Sequence, residues 1–282
     1  LLIDTVKQYP GIKKHSHLDE ALLADYDGFI VATPANTHFE IAKTIIEAKR
    51  PLLIEKPMTL SIKDAESLVA LAEENEVNVL VGHVLLFHPA IIKIKKMIEN
   101  GDIGELQYIY SNRLNLGTVR TEENVFWSLA PHDIALFQYF TKSALKIIDA
   151  KGSTFLQKGI PDSTLTHLEY ENGVKGHIFV SWLHPFKEHR LVVIGSEAMI
   201  SFEDSLNDKP LKLYSKKIDF NSGFPEKIDG PVSLVPFQKK MPLEVEIEYF
   251  LNHLFGDKPQ VCSIYDGFEV VKTRVKASSQ VI

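Results

Sequence analysis

Apolar and polar positions along this chain follow two different periods, and the change falls near residue 101. Before it, short continuous apolar runs alternate with stretches of helical spacing. Gly28 to Thr33 (GFIVAT), Pro51 to Glu55 (PLLIE) and Val77 to His83 (VNVLVGH) are apolar runs of strand length. Such runs suit strands buried on both faces of a sheet. Between them, Ile41, Ile45, Ile46 and Ala48 recur every three to four positions over 38–49. Leu68, Leu71 and Ala72 do the same in a segment opened by Ser61 and Asp64, a helix start of the N-cap kind. Strands alternating with helices predict βαβ units, a parallel sheet and right-handed crossovers.

After Gly101–Gly104 the period becomes two. LQYIYSNRL (106–114), STLTHLEYE, VKGHIFVSWL and HRLVVIG each alternate between two faces, and Asn172-Gly173 is a hairpin signal. A mostly antiparallel sheet follows, interrupted by one helix near 132–141. Residues 205–240, rich in Pro, Gly, Lys and Asp, read as a long loop excursion. Two helices close the chain, 242–255 before Gly256 and 265–279. The expected fold class is α/β. Residues 1–100 form a partial dinucleotide-binding Rossmann sheet. Residues 101–282 form an α+β domain whose open antiparallel sheet serves substrate binding and oligomerisation. The opening LLIDTVKQYPG is helix-like from Leu1 and the closing KASSQVI carries no helix stop, so both ends read as cut.

Composition narrows the function classes. With 282 residues and 45% hydrophobic content the chain can bury a full core. The net charge is −6 and no Lys/Arg-dense run appears, which argues against a nucleic-acid partner. The apolar runs fall well short of the roughly 20 residues that a membrane span requires. Cys262 is the single cysteine, so a disulfide framework is excluded and a reducing, cytoplasmic setting fits. With no His near it in sequence, Cys262 reads as core. No metal-ligand spacing stands out, and no metal site is expected.

Ligands of doubly wound sheets bind at the C-terminal edges of the strands. Three segments fall there. In ATPANTH (32–38), Thr33 and Pro34 end a strand, and Asn36 or Thr37 can cap the next helix and leave its N–H groups facing a cofactor. In IEKP (54–57), Glu55 and Lys56 end a buried strand, and a partly desolvated lysine can exchange a proton near neutrality. In WSLAPHDI (127–134), His132 and Asp133 follow Pro131 at a helix start, where a histidine can shuttle a proton or bind a sugar hydroxyl. Just upstream, Asn112, Arg113 and Asn115 in NRLNLG supply clustered polar groups. Taken singly, ATPANTH reads first as an ordinary turn and IEKP as a solvated lysine, while the other two read as readily as a helix-start histidine and a polar strand edge. Together they contain a base, its helper and substrate-holding donors, the parts a hydride transfer from a secondary alcohol requires. The 15 glycines include no G-x-G-x-x-G, so the expectation is that the first βαβ portion lies before Leu1.

The order ATPxxTH, EKP, VGH…FHP and a His-containing segment before an antiparallel sheet resembles the glucose–fructose oxidoreductase / inositol dehydrogenase (Gfo/Idh/MocA) family. That resemblance implies an N-terminal Rossmann domain binding NAD or NADP. It also implies Lys56 as the catalytic lysine and His132 as the substrate-facing histidine. Thr33, Pro34, Asn36, His38, Glu55, Lys56 and His83 become cofactor-contacting positions. Asn112, Arg113, Asn115, Ser128, His132 and Asp133 are the expected substrate side, with Ser128 standing where the family often has Asp. SNRLNLG…EENVFWSLAPHD also resembles a narrower branch, the UDP-N-acetylglucosamine 3-dehydrogenases, whose 3-keto product passes to a partner transaminase. The implied activity is oxidation of a ring hydroxyl of a nucleotide sugar. A free-sugar or inositol dehydrogenase and a non-catalytic sugar-sensing regulator are the alternatives. Apolar residues on both faces of HIFVSWL (177–183) predict a homo-oligomer contact. Without the glycine turn, the chain from Leu1 is expected to bind NAD in about the millimolar range or not at all, and to aggregate.

Overall fold

The computed structural model describes residue 9 and residues 11–281, so the helix-like opening at 1–8 lies outside the described part. From residue 20 the elements alternate as the periodicity demands: α1 (Glu20–Asp25), β1 (Phe29–Val31), α2 (His38–Glu47), β2 (Leu52–Glu55), α3 (Ile62–Glu74), β3 (Val79–Gly82) and α4 (Pro89–Glu99). β1, β2 and β3 form a parallel sheet in that order, with Phe29 opposite Leu52 and Ile54 opposite Val81. Ser61 caps α3 by accepting from the Asp64 N–H, as its sequence suggests. β2 and β3 are buried along almost their whole length, but Ile30 of β1 is 53% exposed. The expectation of burial on both faces thus fails for β1, which lies at the edge of the three described strands.

The second layer begins with β4 (Leu106–Leu114), followed by α5 (Val125–Leu129), α6 (Pro131–Thr141), β5 (Leu145–Ser153), β6 (Ser163–Tyr170), β7 (Lys175–Ser181), β8 (Glu188–Gly195) and β9 (Met199–Glu203). Then come β10 (Leu211–Asp219), β11 (Glu226–Leu234), α7 (Pro242–Asn252) and α8 (Ile264–Ser278). The eight strands run in the order β11-β10-β9-β8-β4-β7-β6-β5, antiparallel except for the central parallel pair β4–β7. Ile109, Ile178, Val180, Val193 and Ile200 face one core with Phe126, Ile134 and Phe137 of the two short helices. Gly176 allows α6 to lie close, because a Cβ there would stand 2.5 Å from the Ile109 carbonyl and 2.8 Å from the Phe137 ring. The opposite face is open: Leu165 is 52% exposed, and Tyr110 stacks on His177.

The predicted loop at 205–240 is instead the hairpin β10–β11, with Lys216 opposite Asp229 and a turn at Gly223. Solvent reaches both faces of this extension, so no apolar alternation marks it. Cross-strand charge pairs such as Lys216–Asp229 at 2.7 Å take the place of a core.

The last helix joins the two layers. Its Ser263–Asp266 capping box starts α8 beside β3, where Leu80 and Ser263 bridge and the Val81 N–H donates to the Cys262 carbonyl at 2.7 Å. Ile264 and Val271 enter the core of the parallel sheet, while Val270 and Ala277 enter the larger one. Cys262 is fully buried, as its sequence context suggests. No helix among the described residues is long and apolar enough to cross a membrane.

Candidate active site

The C-terminal edges of β1, β2 and β3 present their residues side by side. Thr33, Pro34 and Asn36 follow β1 and are exposed. Neither Asn36 nor Thr37 caps α2 through its side chain; the Thr37 hydroxyl instead turns back, donating to Thr33 Oγ1 at 2.8 Å and to the Pro34 carbonyl at 2.7 Å. His38 departs further from the expectation. Its two ring nitrogens lie 2.8 Å from the carbonyls of Thr33 and Pro57, and it is 1% exposed. It therefore lies between the loop after β1 and the loop after β2, with both ring nitrogens against backbone carbonyls.

Glu55 ends β2 with its carboxylate over Gly82 and accepts from the Lys56 N–H at 3.2 Å. Lys56 follows, half-buried, and the Lys56–Pro57 peptide is cis. Burial pushes the Lys56 amine below the ordinary lysine range, against the pull of the Glu123 and Glu55 carboxylates. The register Ile54–Val81 and Glu55–Gly82 makes Lys56 and His83 the next positions along the two strands. His83 is buried and neither ring nitrogen has a partner. Its pKa falls to about 4, chiefly through burial, with the charges of Lys56 and Arg274 adding to it.

From the second layer, α6 brings His132, half-buried, with its Nδ1 enclosed and unpartnered. Burial and then the charges of Arg113, Lys56 and His83 hold its pKa well below the usual value. The ring is neutral near pH 7 and available as an acceptor. Arg113 and Asp133 form a bidentate pair, Nε to Oδ2 at 2.9 Å and Nη2 to Oδ1 at 3.0 Å, with Asp133 buried. The Asp133 carboxylate is thus occupied by Arg113 and fixes the start of α6 to β4. Asn112 projects to the opposite face of β4 and donates to Glu188 at 2.8 Å, so the expected cluster of Asn112, Arg113 and Asn115 is divided by the strand's alternation. Asn115 is half-buried just past β4, its backbone N–H bonded to the Ser181 carbonyl. Ser128 lies on α5, one turn before His132.

Two groups in this region escaped the sequence reading. Arg274 of α8 is 1% exposed, donates to the Thr59 carbonyl at 2.9 Å and lies 3.7 Å from the centre of the Trp127 ring. Burial lowers its pKa to about 10, with Glu123 opposing. Glu246 of α7 is 0% exposed with both carboxylate oxygens unpartnered, and burial, then the charge of Glu55, raises its pKa to about 7. Each stands on the buried stripe of its helix, Glu246 with Phe250 and Arg274 with Gly267, Val270, Val271 and Ala277. A charge on an apolar stripe was the available signal. Among the described residues no cluster of potential ligands could hold a metal ion.

Comparison with known proteins gives the family and the fold. A family model described as "Oxidoreductase family, NAD-binding Rossmann fold" matches residues 4–83, and one described as "GFO/IDH/MocA C-terminal domain" matches residues 91–201. UDP-N-acetylglucosamine 3-dehydrogenase of Acidithiobacillus ferrooxidans is 28% identical over 253 residues, covering 89% of this chain and 78% of that protein. The scyllo-inositol 2-dehydrogenase (NAD(+)) of Bacillus subtilis is 26% identical over 220 residues, 73% of this chain and 64% of that protein. A solved structure of the Acidithiobacillus enzyme superposes with a TM-score of 0.85 at 24% identity, covering 99% of this chain and 86% of that one. An inositol dehydrogenase homolog from Azotobacter vinelandii, complexed with NADH and myo-inositol, gives 0.74 at 19% identity over 93% and 79%. At these identities the two structures speak for a shared fold.

Proposed function

The chain belongs to the GFO/IDH/MocA family of NAD-binding oxidoreductases, and from that premise we propose that it oxidises a ring hydroxyl of a nucleotide-activated sugar, C3 of UDP-N-acetylglucosamine in the first instance. The observation that carries the reading is the pairing of Lys56, its amine depressed by burial, with a neutral His132 brought from the second layer. The 28% identity to a UDP-N-acetylglucosamine 3-dehydrogenase over most of the chain supports the sugar. The likeness to an inositol dehydrogenase keeps free polyols as the second reading.

The residues present fit the nicotinamide end of NAD or NADP. Thr33 and Asn36 are exposed donors at the sheet's edge, and the enclosed, unpartnered His83 nitrogens lie one strand end away from Lys56. Bound there, the cofactor supplies the hydride acceptor. Lys56 takes the hydroxyl proton as the carbonyl forms, and His132 orients that hydroxyl by donating its ring N–H to the oxygen. Arg113 and Asp133 hold α6, and so His132, in place. His38 acts as a positioning residue for Lys56 through the Pro57 carbonyl. The 3-keto product suits a partner transaminase, and the open sheet face suits a homo-oligomer.

The test is a substrate panel run with the full gene product: UDP-N-acetylglucosamine, other UDP-sugars, free sugars and inositols, each with NAD and NADP, read as nicotinamide reduction. Reduction only with UDP-N-acetylglucosamine or close analogues supports the proposal. Reduction with inositol alone moves the assignment to the second reading. Sugar binding without turnover on any member would establish the sensing regulator instead.

A further inference from the structure

The two halves of the candidate site come from different layers and have to be held against one another. Lys56 follows β2, and the chain after it turns through Pro57 and Met58 to Thr59, which is buried. His132 stands in the first turn of α6, whose N-cap, Ala130, is also the C-cap of α5. The Ala130 N–H donates to the Phe126 carbonyl, and the Ala130 carbonyl accepts from the Asp133 and Ile134 N–H groups, each at 2.9 Å. Within α5 the Trp127 N–H donates to the Asn124 side chain at 3.0 Å. Trp127 and His132 therefore belong to one hydrogen-bonded piece of chain.

Arg274 of α8 touches both pieces. Its Nη2 donates to the Thr59 carbonyl at 2.9 Å. Its guanidinium carbon lies 3.7 Å from the centre of the Trp127 ring, well inside the roughly 6 Å over which a cation and an aromatic face attract. The side chain is buried on a helix face that otherwise carries Gly267, Val270, Val271 and Ala277, and its Nε has no partner. A leucine or methionine would fill such a stripe without desolvating a charge. The charge is kept nonetheless, since burial lowers the pKa only to about 10. A buried guanidinium contributes little net stability, but it is held well only where the carbonyl and the ring stand together, so it selects one arrangement of the two.

The geometry points to Arg274 as a positioning residue of the active site, its bridge from the Thr59 carbonyl to the Trp127 ring setting Lys56 against His132. The inference rests on the dehydrogenase reading above and adds to it a residue from the last helix. Arg274 has almost no surface to offer a cofactor or a sugar, so it acts through the two segments that it joins. Reaction geometry is exacting enough for this to matter: a misplacement of about 1 Å can cost about a hundredfold in rate.

A double-mutant cycle tests the bridge. Single-turnover nicotinamide reduction at saturating sugar is compared in the full-length holoenzyme for wild type, Arg274→Met, Trp127→Leu and the two together. Arg274→Met should lower the rate about tenfold or more, with the sugar KM within about threefold of wild type. Trp127→Leu removes the other end of the same contact, so the double variant should be about as slow as the slower single one. Losses that multiply, or a wild-type rate in Arg274→Met, would overturn the bridge. If Arg274→Met does not fold, Arg274→Lys, which keeps the charge without the planar stack, takes its place in the cycle with the same two outcomes. A second measurement needs no cofactor. Amide hydrogen exchange across 58–61 should rise in Trp127→Leu as well as in the Arg274 variant, because the ring holds the guanidinium against Thr59. Unchanged exchange there in Trp127→Leu would show that the ring and the Thr59 loop are not joined, whatever the activity. A wild type that reduces no nicotinamide with any substrate sinks the dehydrogenase reading and the catalytic role of the bridge with it; raised exchange in both variants would then separate that failure from the absence of the bridge.

Discussion

The side chains proposed for the chemistry come mostly from short segments that can be read in order. Glu55-Lys56 and His132-Asp133 end up where the strand edges and the start of α6 put them, because a strand end and a helix start are local properties. The partners that tune them are not local. Arg274 reaches Thr59 across 215 positions of sequence, and Glu246 comes from a helix that reads as an ordinary amphipathic one. His38 shows the same limit: ATPANTH locates the residue but not the Pro57 carbonyl beside its ring. Glu246 gives a stability prediction. Its raised pKa, about 7, means that the folded state holds a proton that the unfolded chain releases near the ordinary 4.5. Stability therefore falls as pH rises from about 4.5 to about 7, where the buried carboxyl is forced to ionise. Glu246→Gln, which cannot ionise, should melt higher than wild type at pH 8 and close to it at pH 4.5. Parallel melting curves at both pH values would show that the carboxyl ionises freely.

At the level of elements, the parallel half was legible because its strands are continuous apolar runs, buried in β2 and β3, and the central antiparallel strands because they alternate. The β10–β11 hairpin was not, since an extension wetted on both faces has no reason to alternate; its register rests on charge pairs and the turn at Gly223. The seam between the layers depends on close approach rather than on pattern. Gly267 puts α8 against β3 so tightly that a Cβ would come 2.5 Å from Val81 Cγ2. Gly267→Ala should push the helix outward, lower the melting temperature by an overpacking cost of about 1–3 kcal/mol and shift the Arg274 guanidinium from Trp127. Unchanged melting together with unchanged tryptophan fluorescence would mean that the seam yields freely.

For the whole molecule, two cores joined by one helix place a lysine from one layer opposite a histidine from the other. The larger sheet keeps one face bare. Leu165 and Phe179 are opposite each other in register on that face, beside the Tyr110–His177 stack. An apolar surface of this kind is suited to a second copy of the chain. Leu165→Glu should shift light scattering toward the monomer, whereas a wild type already monomeric at micromolar concentration would remove the oligomer from the proposal. The site itself is tested most directly by comparing wild type and Lys56→Met in single-turnover reduction of NAD by UDP-N-acetylglucosamine. With Lys56 as the base, the variant should lose about a hundredfold or more in rate while binding NAD as before. Equal rates would contradict the assignment of Lys56 as the base.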